Sequence, residues 1–151
     1  MASAETVYVD PSALLKLYLK GPESRAMAAW RNRIGDSLTV THHGWVELIN
    51  GIGLAVYQGI ISEETYTLAL AALDDDFAQG RYIQADLLWR ATLKRAADLS
   101  REHTAAIGCR SLDVLHVASA VELKLRDFVT FDTRQQQLAR AAGLKVISPT
   151  R

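Results

Sequence analysis

Thr6-Val7-Tyr8-Val9-Asp10-Pro11-Ser12 is the stretch on which the fold turns. Thr6 to Val9 is β-branched and aromatic, the composition of a short buried strand. Asp10-Pro11 then turns the chain into a helix from about Pro11 to Leu19, because proline is comfortable in the first helical turn. The same alternation continues to the end of the chain. Gly21-Pro22 separates a second helix, about Glu23 to Arg33, from the first. Leu38 to Thr41 reads as a strand, followed by a helix from about His43 to Gln58. Its Gly51 and Gly53 weaken it but permit close packing.

Ser62 is an N-cap for a helix reaching about Gln79, with Glu63 and Glu64 in its acidic first turn. Tyr82-Ile83 is a minimal strand. Leu87 to Ile107 carries a helical pattern with a break near Ser100. Ser111 reads as the N-cap of a helix to about Leu125. Phe128 to Phe131 is the clearest late strand. Thr133 to Ala142 forms the last helix, ended by Gly143, and Leu144 to Ile147 is the closing strand. Strands alternating with helices imply parallel pairing and a three-layer α/β/α sandwich. In such sheets, sites form outside the carboxyl ends of the strands.

Length and charge narrow the possibilities further. With 151 residues, 49% hydrophobic and 23% charged, residues 1–151 read as a single domain around one sizeable core. No linker or repeat divides them. Seventeen basic residues balance seventeen acidic ones, which argues against a protein that coats nucleic acid by bulk charge. It leaves a nuclease open, since a bound cation and a local basic rim can supply the attraction. Cys109 is the only cysteine, so a thiolate zinc cluster is excluded, and the expected role of Cys109 is a small buried apolar side chain. Met1 to Glu5 lacks a basic start and a long apolar run, and no stretch approaches the ~20 apolar residues of a membrane span. The expectation is a soluble cytoplasmic protein.

Four acidic segments carry the chemistry: Val9-Asp10-Pro11-Ser12, Trp45-Val46-Glu47-Leu48, Ser111-Leu112-Asp113-Val114 and Thr130-Phe131-Asp132-Thr133. Each carboxylate lies in or beside an apolar stretch, where it is costly unless paired or metal-bound. Asp10 and Asp132 each follow a strand, so both are expected at the carboxyl edge of the sheet. Brought together, the four acids form an oxygen-rich site for Mg²⁺ or Mn²⁺, suited to metal-assisted phosphodiester hydrolysis. Ser12, Ser111 and Thr130 are the hydroxyls that would orient carboxylates or waters there. Each acid also has a plainer reading. Asp10 and Asp132 can cap helices, Asp113 sits where the helix dipole favours an anion, and Glu47 can belong to a solvated face.

Val7-Tyr8-Val9-Asp10-Pro11-Ser12-Ala13-Leu14-Leu15-Lys16-Leu17-Tyr18 resembles the opening of a PIN domain of the VapC toxin type. So does Ser111-Leu112-Asp113-Val114-Leu115-His116-Val117-Ala118-Ser119-Ala120, followed by Phe128-Val129-Thr130-Phe131-Asp132-Thr133-Arg134-Gln135 and the run from Leu138 to Pro149. The resemblance spans about Val7 to Pro149 and is least diagnostic between Ile60 and Gly108. It implies a mostly parallel five-stranded sheet and a metal-dependent endoribonuclease, with Asp10, Glu47, Asp113 and Asp132 as catalytic metal ligands. It also implies an RNA substrate, a cognate antitoxin and a homodimer. An apolar groove beside Ala13 to Leu19, with Leu14, Leu17 and Tyr18, would receive the antitoxin. One segment departs from the family's pattern. A small hydroxyl residue is expected near the start of the helix carrying Glu47, and Thr41-His42-His43-Gly44-Trp45 stands there.

Other residues invite weaker readings. His43 and Glu47 are four apart on a helix, but no third ligand at a zinc spacing accompanies them. His116 reads as a buried, hydrogen-bonded histidine rather than a base. Lys16 and Arg134 lie near motifs and are candidates for phosphate contact. The competing function is a binding module whose acids hold a structural cation without cleavage. A receiver-like or phosphatase-like domain fits less well, because Ser12 stands where a haloacid-dehalogenase-type phosphatase needs a second aspartate.

Overall fold

The computed structural model describes residues 3–150; Met1 and Ala2, part of the sequence expected to precede the first strand, lie outside them. A short 3₁₀ turn at Ala4–Thr6 leads into β1 (Val7–Val9). Then follow α1 (Pro11–Leu14), α2 (Ser24–Ile34), β2 (Leu38–Thr41), α3 (His42–Tyr57), α4 (Glu63–Ala78) and β3 (Tyr82–Ala85). The second half runs α5 (Trp89–Leu99), α6 (Ala105–Ile107), α7 (Ser111–Glu122), β4 (Asp127–Val129), α8 (Thr133–Ala141) and β5 (Lys145–Ile147).

The five strands form one sheet in the order β3-β2-β1-β4-β5, and every pair is parallel. This is the expected α/β/α sandwich. Period-two alternation distributes β1 between two cores. Val7 and Val9 pack with Leu14, Met27, Trp30, Leu48, Ile52 and Leu73 on one face. Tyr8 points the other way, among Val114, Val117, Phe128 and Leu138, with its ring stacked on Phe128 at 5.4 Å. The helices α1–α4 therefore cover one face, and α5, α7 and α8 the other. From β1 the chain winds outward to β2 and β3, then returns across β1 to β4 and β5. That reversal places a crevice at the carboxyl end of β1, the position at which open α/β sheets bind ligands.

Several local expectations shift. The first helix is α-helical only to Leu14 and tightens into a 3₁₀ turn at Leu15–Leu17. Helix α3 starts at His42 rather than His43, and Thr41 is its cap, its hydroxyl accepting the Gly44 N–H at 3.0 Å. The hydroxyl residue that the motif lacked is thus present, at the last position of β2. Gly51 does permit close packing, because a Cβ there would come within 2.6 Å of Leu15 Cδ1. Gly53 faces open space. The break near Ser100 is a π-helical segment, Ser100–Thr104, that joins α5 to α6.

Ser111 is not a cap. Arg110 holds the cap position with extended backbone and no side-chain cap bond, and Ser111 is the first helical residue. Strand β4 stops at Val129 rather than Phe131, so Asp132 follows a short connector and caps α8 by accepting the Gln135 N–H at 2.9 Å.

The groove expected along Leu14, Leu17 and Tyr18 loses Leu14 to the core, while Leu17 and Tyr18 stay half-buried. Leu14 is fully buried, and Leu17 and Tyr18 pack on the same core. The Tyr18 hydroxyl is engaged by Asp76 and Tyr82. Cys109 is buried as expected, in the second core. Among the described residues no helix is long and apolar enough to cross a membrane.

A candidate carboxylate-lined active site

Asp10 emerges at the carboxyl end of β1, its backbone N–H tied to the Val129 carbonyl at 3.0 Å. It is buried to 4% exposure, and its side chain is held from two directions. Oδ2 accepts the Ser12 N–H at 3.0 Å and the Ser12 hydroxyl. Oδ1 accepts Gln135 Nε2 at 2.8 Å. The capping reading and the site reading of Asp10 are therefore compatible in one geometry, because the capping bonds occupy one oxygen.

Glu47 comes from α3 and Asp113 from the first turn of α7. Asp10, Glu47 and Asp113 line one cavity of about 590 Å³, together with Ser12, Ser111, Arg110 and His116. Asp132 lies on an adjoining cavity of about 280 Å³ with Arg134, and the two cavities share Arg110 and Asp113. The four acids thus sit along one continuous edge, three around the main cavity and the fourth beside it.

The electrostatics follow from this crowding. Burial pushes the Asp113 carboxyl above the usual carboxylate range, and the charges of Asp10 and Asp132 push the same way against the opposing pull of Arg110. Arg110 reaches Asp113 with Nε at 3.5 Å while its own side chain is largely in solvent. It supplies only a screened counter-charge.

Glu47 is anchored from behind. His116 Nε2 is 2.7 Å from Glu47 Oε2, and His116 Nδ1 is 2.6 Å from the Tyr8 hydroxyl. The hydroxyl in turn lies 3.4 Å from Thr41 Oγ1. A carboxylate only accepts hydrogen bonds, so toward one His116 Nε2 is the donor. Burial alone would favour neutral His116, but the Glu47 hydrogen bond and the charges of Asp10, Glu47 and Asp113 outweigh it and raise its pKa. Burial also raises the Tyr8 pKa, so its hydroxyl keeps its proton. A buried chain, Thr41–Tyr8–His116–Glu47, therefore runs from the sheet into the cavity.

That chain makes a first prediction. Tyr8→Phe removes the hydroxyl beside His116 Nδ1 and leaves a buried ring nitrogen without its partner. The expected loss of unfolding free energy in denaturant titrations is about 1–3 kcal/mol. Wild-type stability in that variant would show that the hydroxyl contributes nothing to holding His116.

The remaining polar residues are accounted for locally. Thr130 is buried and accepts the Asp132 N–H at 3.2 Å, so it orients the turn that carries this acid. Lys16 pairs with Glu23 at 2.9 Å and lies over the Phe131 ring. Arg134 rims the smaller cavity. His42 pairs with Asp86 on the surface. His43 stacks on His116 at 4.7 Å; burial, His116 and His42 depress its pKa to about 4. Among the described residues, no three His, Cys, Asp or Glu side chains stand close enough to cage a metal ion by themselves.

A sequence model of the PIN domain matches residues 7–141, nearly the whole of the chain. The chain belongs to the PIN domain family. It is similar to Ribonuclease VapC47 of Mycobacterium tuberculosis (strain CDC 1551 / Oshkosh), with 28% identity over 149 residues that cover 95% of this chain and 96% of that protein. Its fold is similar to that of a chain in the crystal structure of FitAcB from Neisseria gonorrhoeae, with a TM-score of 0.67, 17% identity, and coverage of 93% and 96% of the two chains.

In this PIN domain, Gln135, Arg110 and Tyr8 join the motif acids at the site, and sequence reasoning missed all three. Tyr8 was legible only as a strand residue. Arg110 and Gln135 each flank a motif acid, by three positions in both cases, which is the one signal that would have drawn attention to them.

Proposed function

We propose that this PIN domain is a divalent-cation-dependent endoribonuclease and the toxin of a toxin–antitoxin pair. The observation that carries the reading is the arrangement of Asp10, Glu47 and Asp113, from three separate elements, around one cavity at the sheet's switch point. Similarity to Ribonuclease VapC47 along almost its full length supports the RNA substrate.

The donor set fits Mg²⁺ or Mn²⁺. It consists of hard carboxylate oxygens, and Asp113 is destabilised as an anion by its burial and its acidic neighbours. A cation in that position would relieve the repulsion. The lack of a complete protein cage is no obstacle, because Mg²⁺ is usually held by one or two carboxylates, with waters and substrate phosphates completing its shell. Asp10 and Asp113 would hold the ion, with Glu47 and Asp132 placing waters or further ion contacts. When bound, the cation supplies charge neutralisation at the phosphate and a more acidic water.

The protein's own groups do the rest. Ser12 and Gln135 fix the Asp10 carboxylate. His116 fixes Glu47. Arg110 and Arg134, beside Asp113 and Asp132, offer the local positive charge that an overall neutral chain needs to attract a phosphodiester backbone. We further assign the chain to the cytoplasm, as one domain over residues 1–151 acting as a homodimer under the control of an antitoxin.

Incubating purified protein with defined RNAs, with Mg²⁺ or Mn²⁺ and with chelator, tests the function. Cleavage is expected only with metal. Metal-dependent binding of RNA with no cleavage under any metal would favour the binding-module reading instead.

A further inference from the structure

Gln135 is the least expected residue at the site. It lies on α8 at 1% exposure, 125 positions from the acid it touches. Its amide nitrogen donates to Asp10 Oδ1 at 2.8 Å and to the Asp113 main-chain carbonyl at 3.3 Å. Its own oxygen, Oε1, is buried without a partner among the described residues. Both neighbours of the nitrogen are pure acceptors. Turning the amide over would set Oε1 against two oxygens, so the donor orientation is forced by its surroundings.

A buried amide that gives up its acceptor end is retained at a cost. Its donor end explains the choice. Methionine or leucine at this position would leave Asp10 Oδ1 without a donor. Glutamate would add a further negative charge between Asp10 and Asp113. Lysine or arginine would neutralise Asp10 and compete with a cation. Only a neutral donor orients the carboxylate and leaves its charge intact.

Donor counting sharpens the point. Asp10 Oδ2 already receives two donors from Ser12, whereas Oδ1 receives one from Gln135. The oxygen with spare acceptor capacity is the one that Gln135 steers. We propose that Gln135 is a positioning residue that sets the Asp10 carboxylate so that Oδ1 faces a divalent cation, and that it ties α7 and α8 together at that point. This inference rests on the metal-dependent reading of the site.

The test compares wild type, Gln135→Met, Asp10→Asn and Leu138→Ala. Leu138 is fully buried on the same helix and controls for lost packing alone. Mn²⁺ affinity is measured by calorimetry without RNA, thermal midpoints with chelator, and kcat and KM for RNA at saturating metal. Groups that support metal ligands in this way are typically worth about 10–100-fold in affinity or activity. Gln135→Met is expected to bind Mn²⁺ about tenfold or more weakly and to lose kcat with little change in KM. Leu138→Ala should lower the midpoint yet keep its Mn²⁺ affinity. If methionine is not tolerated, Gln135→Asn withdraws the amide by one methylene and should give the same readings. Wild-type Mn²⁺ affinity and kcat in a folded Gln135 variant, with Asp10→Asn impaired in both, would overturn the positioning role alone. Wild-type Mn²⁺ affinity in Asp10→Asn would instead overturn the metal reading beneath it.

Discussion

Asp10→Asn and Asp113→Asn are each expected to lower metal-dependent RNA cleavage about a thousandfold while leaving the fold in place. A metal ion at a phosphoryl centre is worth several kcal/mol of transition-state stabilisation, and about 4 kcal/mol corresponds to three decades in rate. Asn keeps the size and one oxygen of each side chain but removes its charge. At Asp10 the Ser12 bonds can still be accepted by that oxygen, so the N-terminal turn of α1 survives. At Asp113 the change removes a carboxyl whose ionisation the folded state already disfavours. Asp113→Asn should cost little stability. Asp10→Asn should cost about 1–3 kcal/mol, because its amide nitrogen meets the Gln135 amide nitrogen where Oδ1 stood. A lost rate in a variant that is still folded would therefore report the site. The measurement is a single-turnover cleavage rate on one RNA at saturating Mn²⁺, beside circular dichroism of each variant. Rates within tenfold of wild type in folded Asp10→Asn would remove Asp10 from the metal site.

Much of this arrangement is visible in the sequence because it is local. Asp10 and Asp132 each stand at a strand-to-helix junction, and a parallel sheet sends all such junctions to one edge. Asp113 sits in a helical first turn next to a strong apolar run. The groups that hold these acids are not local. His116 pairs with Glu47 from 69 positions away, and Tyr8 pairs with His116 from 108. No periodicity encodes which buried polar groups meet across a sheet.

The misplaced boundaries have the same origin. Thr41 reads as a strand residue because it is β-branched, yet it also caps α3, so strand and helix share it. Leu17 and Tyr18 looked available for a partner because a short helix shows its apolar face to the sequence reader. Each packs one side on the core beneath and stays half-buried. Ser111 has the composition of a cap, but extended backbone at Arg110 starts the helix one residue earlier.

His43, held down to about 4 by burial and by His116 and His42, contributes stability that rises with pH up to the ordinary imidazole value. Without metal, Asp113 and His116 contribute in the opposite sense, and their part falls as pH rises through their titration. Both groups have folded-state pKa values raised above their ordinary ones, Asp113 by burial and its acidic neighbours, His116 because Glu47 and nearby carboxylates outweigh its burial. A raised folded pKa means that the native state holds protons the unfolded state has released. The associated stabilisation is complete below the unfolded pKa and is lost as pH climbs through the folded one. For Asp113 that window starts in the ordinary carboxylate range and extends above it, and for His116 it starts near the ordinary imidazole value. Mg²⁺ or Mn²⁺ should reverse the Asp113 part, because a ligand bound only by the native state stabilises by mass action, about 2.7 kcal/mol at a hundred times its Kd. For a chain of this size, ~1 kcal/mol moves Tm by roughly 2–4 °C, so saturating metal at neutral pH should raise Tm by about 5–10 °C. The rise should be smaller in mildly acidic buffer, where protons compete with the metal for the carboxylates. Asp10→Asn removes one source of repulsion but sets its amide nitrogen against Gln135 Nε2. The expected result is a smaller metal-induced rise in Tm than in wild type, whatever its midpoint in chelator. Thermal midpoints of both proteins, at two pH values with chelator and with metal, decide the matter. Equal metal-induced shifts in wild type and Asp10→Asn would mean that the ion binds elsewhere, and that the crowding of Asp10, Asp113 and Asp132 is a structural cost with no cation to offset it.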